Sequence, residues 1–277
     1  MNFKRVAIIG GAGRMGRWFS KFFVKEGFEV IISGRMKSKL VQLKRELPSI
    51  NVAEDNVEAV KCADLIVISV PPLDFKAVVE QIGPHLKAGQ VVIDLTSIKE
   101  VPVQLMHKYI RNCVTLGAHP MFGPSATDYH QNFILTPTSE EEQKLAEDIK
   151  RWLEIKGFKV RMMSPIEHDK LMGTILGLSH FIGLVALDTW IDIGLEELRK
   201  IGGTSFNLLF TLADNVVHSD PNLYAEIQMG LVSTEDAELK FKMNVKKWLG
   251  ILRKKDRQRF IEEMVRLRKA FDGHSLR

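Results

Sequence analysis

Three short stretches of this chain hold residue types that could do chemistry on a bound molecule. Asp94-Leu95-Thr96-Ser97-Ile98-Lys99 gathers a carboxylate, two hydroxyls and an amine after one apolar run. Gly117-Ala118-His119-Pro120-Met121-Phe122-Gly123-Pro124-Ser125 follows the next apolar run. A histidine at the end of a strand, pinned by the proline after it, suits proton transfer near neutral pH. In so Gly- and Pro-rich a loop, His119 reads as lining a site rather than as a structural residue. The third stretch, Gly11-Ala12-Gly13-Arg14-Met15-Gly16, has the spacing of a phosphate cradle. Gly11 permits a tight turn, Gly13 lets a pyrophosphate approach the backbone, and Gly16 lets a helix pack closely on the preceding strand.

Such residues need strands to carry them. Short β-branched runs predict strands at 5–10, 28–33, 64–70, 90–95 and 114–118, with helices at 15–26 and 37–47. Gly27 stands where a helix-ending glycine belongs, and Asp74 can cap the helix after the third strand. This alternation predicts an α/β fold, an open parallel sheet covered on both faces. Ser139 with Glu142 has capping-box spacing and opens a helix at 140–155, and a last strand follows at 157–163. Ser164-Pro165-Ile166-Glu167 then starts another helix. Beyond it the pattern is helical only, broken at Gly194, Gly202-Gly203, Asp220-Pro221 and Gly230. Two domains follow, an α/β domain over 1–163 and an all-α domain over 164–277.

Composition narrows the function classes. Charged residues at 26% and hydrophobic ones at 45% describe an ordinary soluble globular chain. A net charge of +5 is too small to argue for nucleic acid. Residues 164–236 hold 3 basic and 11 acidic residues, while 237–277 hold 13 basic and 5 acidic. We read these as solvated helical faces that attract each other, within or between subunits, rather than as a nucleic-acid or membrane patch. Residues 171–187 carry no formal charge over 17 positions but include His180 and three glycines. A spanning helix needs about 20 apolar residues. The expectation is therefore a helix buried by other helices or by a second subunit, which points to a homodimer. Cys62 and Cys113 form neither a disulfide framework nor a CxxC metal spacing, and the N-terminus shows no secretory pattern, so a reducing cytoplasm is the simplest location.

The glycine cradle lies between a strand and a helix, and a second strand ends at the expected distance, which together predict a dinucleotide site. Where NAD-binding chains place an acid, this one has Ser33-Gly34-Arg35, then Lys37. A hydroxyl, a guanidinium fork and an amine suit a 2′-phosphate, so NADP is expected. NAD remains possible if Arg35 only stacks on the adenine. Val70 and Pro71, after the third strand, could wall the dinucleotide.

The glycine turn, the Ser-Val-Pro loop at 69–71, DLTSIK, HPMFGPS and MSPIEHDKLMG…LSHF, in this order, resemble the prephenate dehydrogenase family, and the similarity extends into DPNLYAEIQM. The resemblance implies a Rossmann domain followed by a helical dimerisation domain. It also implies NAD(P)-dependent oxidative decarboxylation of prephenate, or of arogenate, in tyrosine biosynthesis. His119 would hydrogen-bond the ring hydroxyl as hydride departs. Ser97 would help hold that hydroxyl or His119, and His180 would lie near the substrate. A core histidine bonded to backbone is the alternative for His180. Members place an Arg shortly before the Asp-Pro to grip the ring carboxylate; this chain has Asn215 there, and His218, three residues on, could take its place. Two other readings stay open: another NADP oxidoreductase of the same plan, acting on β-hydroxyacids or linked to deazaflavin, or a non-catalytic NADPH-binding dimer. The His-Pro-Met-Phe-Gly loop fits the first of these poorly.

Overall fold

The computed structural model describes residues 3–125 and 131–275. The first part is β1 (Arg5–Ile9), α1 (Arg14–Lys25), β2 (Glu29–Ser33), α2 (Lys37–Glu46), β3 (Asn51–Val52), α3 (Asn56–Lys61), β4 (Leu65–Ile68) and α4 (Pro72–Ile82). It continues through β5 (Val91–Asp94), α5 (Glu100–Tyr109), β6 (Val114–Pro120), β7 (Asn132–Thr136), α6 (Glu140–Ile155) and β8 (Lys159–Met162). These strands form one sheet in the order β3-β2-β1-β4-β5-β6-β7-β8. Every neighbouring pair is parallel except β6 and β7, where His119 lies opposite Ile134 in antiparallel register.

The central strands are apolar at every position because both faces are covered. In β1, Val6 and Ile8 pack with the aromatic side chains of α1 and with α6, while Ala7 and Ile9 pack with α3, α4 and α5. Ser139 caps α6 by accepting from Glu142 N, and Ser164 caps the next helix by accepting from Glu167 N, as the capping-box spacings predict. Gly27 has φ +86° at the end of α1. Four elements escape the hydrophobic pattern: β3 has two residues, α3 has six, and α5 and β7 lack a clean period. β7 makes the sheet mixed rather than wholly parallel. Asp74 is not the cap expected of it. Pro71 takes the N-cap position of α4, and Asp74 sits inside the first turn.

The second part is helical: α7 (Pro165–Met172), α8 (Ser179–Ile193), α9 (Leu195–Ile201), α10 (Thr204–Val217), α11 (Pro221–Gly230), α12 (Val232–Arg253) and α13 (Arg257–Ser275). No strand follows β8 among the described residues. A widened π turn, Gly173–Leu178, joins α7 to α8. There Gln228 Nε2 donates to the Gly177 carbonyl at 2.9 Å. A Cβ on Gly173 would lie 2.1 Å from Ser233 Oγ, and one on Gly177 2.6 Å from Thr234 Oγ1, so these glycines admit α12. Gly183 similarly faces Ala213 and Val216 of α10.

By length and composition Pro165–Ile193 could cross a membrane, but its glycine face is packed against α10 and α12. Elsewhere on α8, Leu184, Val185, Ile191 and Ile193 are between 42% and 68% exposed. Within this chain, the expected burial by other helices is therefore met on one side only.

Candidate active site

The glycine turn follows β1 at the carboxyl edge of the sheet. Gly10, with φ +81°, supplies the left-handed step that reverses the chain, and the N–H groups of Gly10 and Gly11 both donate to Ser33 O. A Cβ on Gly11 would meet Ile32 at 2.6 Å, and one on Gly16 would meet Gly10 O at 2.3 Å. Both glycines are thus required for helix and strand to close. Ala12 and Met15 pack into the core, whereas Gly13 and Arg14 are exposed. Gly13 is the N-cap of α1 with no side-chain cap, and the first turn holds no acid. Open N–H groups at the positive end of a helix, reached over a residue without a side chain, fit a dinucleotide pyrophosphate.

The end of β2 differs in part from the sequence reading. The Ser33 side chain is buried and its hydroxyl donates to Asn56 Oδ1 at 2.8 Å, so it is not a free phosphate ligand. The side chain of Arg35 is 81% exposed, with its fork on Asp74. Nη1 is 2.9 Å from Oδ1 and Nη2 is 2.5 Å from Oδ2. Lys37 is exposed and its amine donates to the Glu54 carbonyl. Val70 lies half-buried beside Gly10, and Pro71 is exposed at the start of α4.

The residues for chemistry converge at the carboxyl ends of β5 and β6. His119 is the penultimate residue of β6, paired with Ile134 of β7, and is 5% exposed. Its Nδ1 lies 2.8 Å from His168 Nε2. His168, on α7, places its Nδ1 2.6 Å from Asp169 Oδ1. Asp169 in turn accepts from the backbone N–H groups of Lys99, at 2.8 Å, and Glu100, at 2.9 Å, at the start of α5. This line fixes proton positions. A carboxylate accepts, so His168 carries its proton on Nδ1 and leaves Nε2 as an acceptor. His119 must then donate from Nδ1, which leaves its Nε2 with a lone pair. Burial, with His168 and Lys99 adding to it, holds His119 well below the usual histidine range. The arrangement supplies a neutral, oriented imidazole that accepts a proton.

Beneath His119 lies an ion pair with no exposure at all, Lys99 Nζ on Asp94 Oδ2. Lys99 also donates to the Ala118 carbonyl at 2.8 Å, and Asp94 Oδ1 accepts from Thr96 N at 2.7 Å. Burial pushes the Asp94 carboxyl up and the Lys99 amine down, and each opposes the other's shift. The pair ties the end of β5 to β6 one residue before His119. Ser97, in the same loop, is half-buried. His168 and Asp169, rather than Ser97, hold the His119 ring. Sequence reasoning assigned no role to His168, Asp169, Lys99 or Asp94. Their only signal was membership in the Ile-Glu-His-Asp and Asp-Leu-Thr-Ser-Ile-Lys stretches.

His180 is 9% exposed at the start of α8, and its Nδ1 has no hydrogen-bond partner among the described residues. Its ring lies 4.3 Å from that of Tyr224 on α11, tilted by 31°. Burial pulls its pKa down to about 4, so the ring is neutral at physiological pH. The bond to backbone considered for it from sequence is not formed at Nδ1. A small apolar cluster, Ile134, Met172, Ile227 and Leu231 with Ile98 and Met121, seats α7 and α11 on the β5 and β6 ends. Asn215 and His218 do not join His119. Both are exposed; Asn215 O accepts from Ser219, and His218 Nδ1 turns to the Asp214 carbonyl at 3.0 Å.

A glycine cradle at the head of a mostly parallel sheet, a polar line at its carboxyl edge and a helical second part define a dinucleotide-binding protein with a second helical domain. Comparison with known families narrows this. Residues 19–162 match the family model described as prephenate dehydrogenase, nucleotide-binding domain, and residues 164–266 the one described as prephenate dehydrogenase, dimerization domain. The chain belongs to the prephenate dehydrogenase family.

A protein of Methanocaldococcus jannaschii named "Probable arogenate/prephenate dehydrogenase" is 31% identical over 98% of this chain and 62% of its own length. The T-protein of Enterobacter agglomerans is 28% identical over 98% of this chain and 69% of its own. This chain therefore spans about two thirds of the length of these curated relatives. The crystal structure of prephenate dehydrogenase from A. aeolicus, in complex with hydroxyphenyl propionate and NAD+, superposes with a TM-score of 0.79. It covers 97% of both chains at 21% identity, so the likeness is one of fold.

Proposed function

We propose that this chain is an NAD(P)-dependent dehydrogenase that oxidatively decarboxylates prephenate, or arogenate, in tyrosine biosynthesis. The observation that carries the reading is the line from Asp169 through His168 to His119, which presents a lone pair on His119 Nε2 at the edge of the sheet where ligands bind. A nicotinamide held there would supply the hydride acceptor for the ring carbon bearing the hydroxyl. His119 Nε2 accepts the hydroxyl proton as the carbonyl forms. His168 keeps the ring oriented, and Asp169 stabilises the positive charge that spreads into the histidine pair. Ser97 holds the substrate hydroxyl from the β5 side. His180, neutral and without a partner at Nδ1 among the described residues, meets a polar group of the substrate. Loss of the ring carboxylate as carbon dioxide leaves its bonding electron pair in the ring, which becomes aromatic as the carbonyl oxygen takes the proton back from His119 Nε2.

The cradle of Gly11, Ala12, Gly13, Arg14, Met15 and Gly16 holds the pyrophosphate, with Val70 and Pro71 walling the dinucleotide. NADP is the preferred form, because residues 33–39 contain Arg35, Lys37 and Lys39 but no carboxylate. We also propose domains at 1–163 and 164–277, a cytoplasmic location and a homodimer, in which a second copy covers the exposed apolar side of α8. Asn215 and His218 would serve substrate only in that assembly.

A matrix of NAD+ and NADP+ against prephenate, arogenate and a β-hydroxyacid panel tests the reading. Turnover should appear with one of the two cyclohexadienyl substrates and be fastest with NADP+. Turnover confined to the hydroxyacids, or none with any pair, would contradict it.

A further inference from the structure

The end of β2 lacks a carboxylate in sequence but has one in space. β2 and β4 flank β1, so Arg35 after β2 and Asp74 after β4 meet across the carboxyl end of β1, where the glycine turn lies. Arg35 is largely solvent-exposed, yet both of its terminal nitrogens are on the Asp74 carboxylate. The first turn of α4 supports that carboxylate independently through its helix dipole.

We propose that Asp74 sets the balance between the two forms of the dinucleotide by competing with the 2′-phosphate for Arg35. The inference rests on the reading that the β2 end receives the adenosine ribose. A phosphate binds a guanidinium by the same planar fork that the carboxylate now fills. A 2′-phosphate must therefore displace Asp74 and then lie beside its negative charge. Ribose hydroxyls make no such demand. They can donate to Asp74 while the ion pair stays intact, which is the role an acid at the end of β2 plays in NAD-binding chains. Arg35 thus favours the phosphorylated form and Asp74 the unphosphorylated one. The chain should accept both, with the preference set by a residue of α4 that the β2 sequence does not reveal.

The test is titration calorimetry of the full chain with 2′,5′-ADP and with 5′-ADP, beside NADP+ and NAD+ kinetics. The variants are Asp74→Asn, Asp74→Ser, Arg35→Gln and the Asp74→Asn/Arg35→Gln double. Either Asp74 variant should tighten 2′,5′-ADP by about tenfold and leave 5′-ADP unchanged or weaker. Arg35→Gln should weaken 2′,5′-ADP by about tenfold, and in that background the Asp74→Asn gain should shrink below about threefold. If both Asp74 variants leave the ratio of the two affinities within about twofold of wild type while Arg35→Gln lowers it, the proposal fails and the NADP reading stands. If Arg35→Gln leaves the ratio unchanged, the 2′-phosphate does not bind at Arg35 and the underlying reading fails with it.

Discussion

His119 Nδ1 lies 2.8 Å from His168 Nε2, so a histidine of the sheet is held by a histidine of the first helix beyond it. The contact crosses from β6 to α7 and is anchored through Asp169, which accepts from the Lys99 and Glu100 N–H groups at the start of α5. His168→Leu puts an apolar side chain of similar bulk in its place and removes the acceptor. We expect kcat to fall about 10- to 100-fold, as for other losses of an orienting partner, with cofactor affinity unchanged. Steady-state kinetics with a parallel NADPH titration checks this. Unchanged kcat would show that His119 orients without help.

The proposed reaction uses a neutral His119, and burial holds its pKa well below the ordinary histidine value. Activity should therefore stay level as the pH falls through about 6.5 and decline only in more acid buffer, as Nε2 becomes protonated. The pH profile of kcat/KM reads this directly. An acid limb centred near the ordinary histidine value would contradict the environment described for the ring.

Stability should show the same sign. His119, His168 and His180 are all depressed by burial, the last to about 4. Below the unfolded value of about 6.5 the unfolded chain binds more protons, so unfolding is favoured as the pH falls. Each such histidine removes about 1.4 kcal/mol per pH unit until its folded pKa is reached. Urea midpoints at neutral and mildly acid pH should separate accordingly, and His180→Phe should narrow the gap.

The Asp94–Lys99 pair is fully buried, which makes removal of one partner far worse than removal of both. Lys99→Met should cost about 3–5 kcal/mol by leaving a carboxylate without its cation. The Asp94→Asn/Lys99→Met double should recover much of that loss. Chemical denaturation of wild type, Lys99→Met, Asp94→Asn and the double provides the cycle. A double variant as unstable as Lys99→Met alone would mean that the amine matters through the Ala118 carbonyl rather than through Asp94.

Periodicity carried most of the fold because burial on both faces leaves the central strands of a parallel sheet with no polar position to confuse the pattern. It failed at β3, two residues long, and at β7, whose antiparallel pairing with β6 has no local signature. The glycine cradle was legible because backbone approach excludes side chains, as the 2.3 Å from a Gly16 Cβ to Gly10 O makes plain. The partners of the site were not. Asp169 is 70 positions from Lys99, and Asp74 is 39 from Arg35; contacts across such separations depend on how strands are ordered, not on spacing along the chain. Ser33 looked like a phosphate ligand by position, yet alternation along β2 turns it inward to Asn56.

The central claim is that a neutral His119 takes the hydroxyl proton during hydride transfer. The most direct measurement is NADPH formation from prephenate and from arogenate by wild type and His119→Asn, with cofactor affinity measured in parallel. The account predicts turnover by wild type and a loss of about 10²- to 10⁴-fold in kcat for the variant, with the dinucleotide still bound. A variant that turns over within a few-fold of wild type would contradict it.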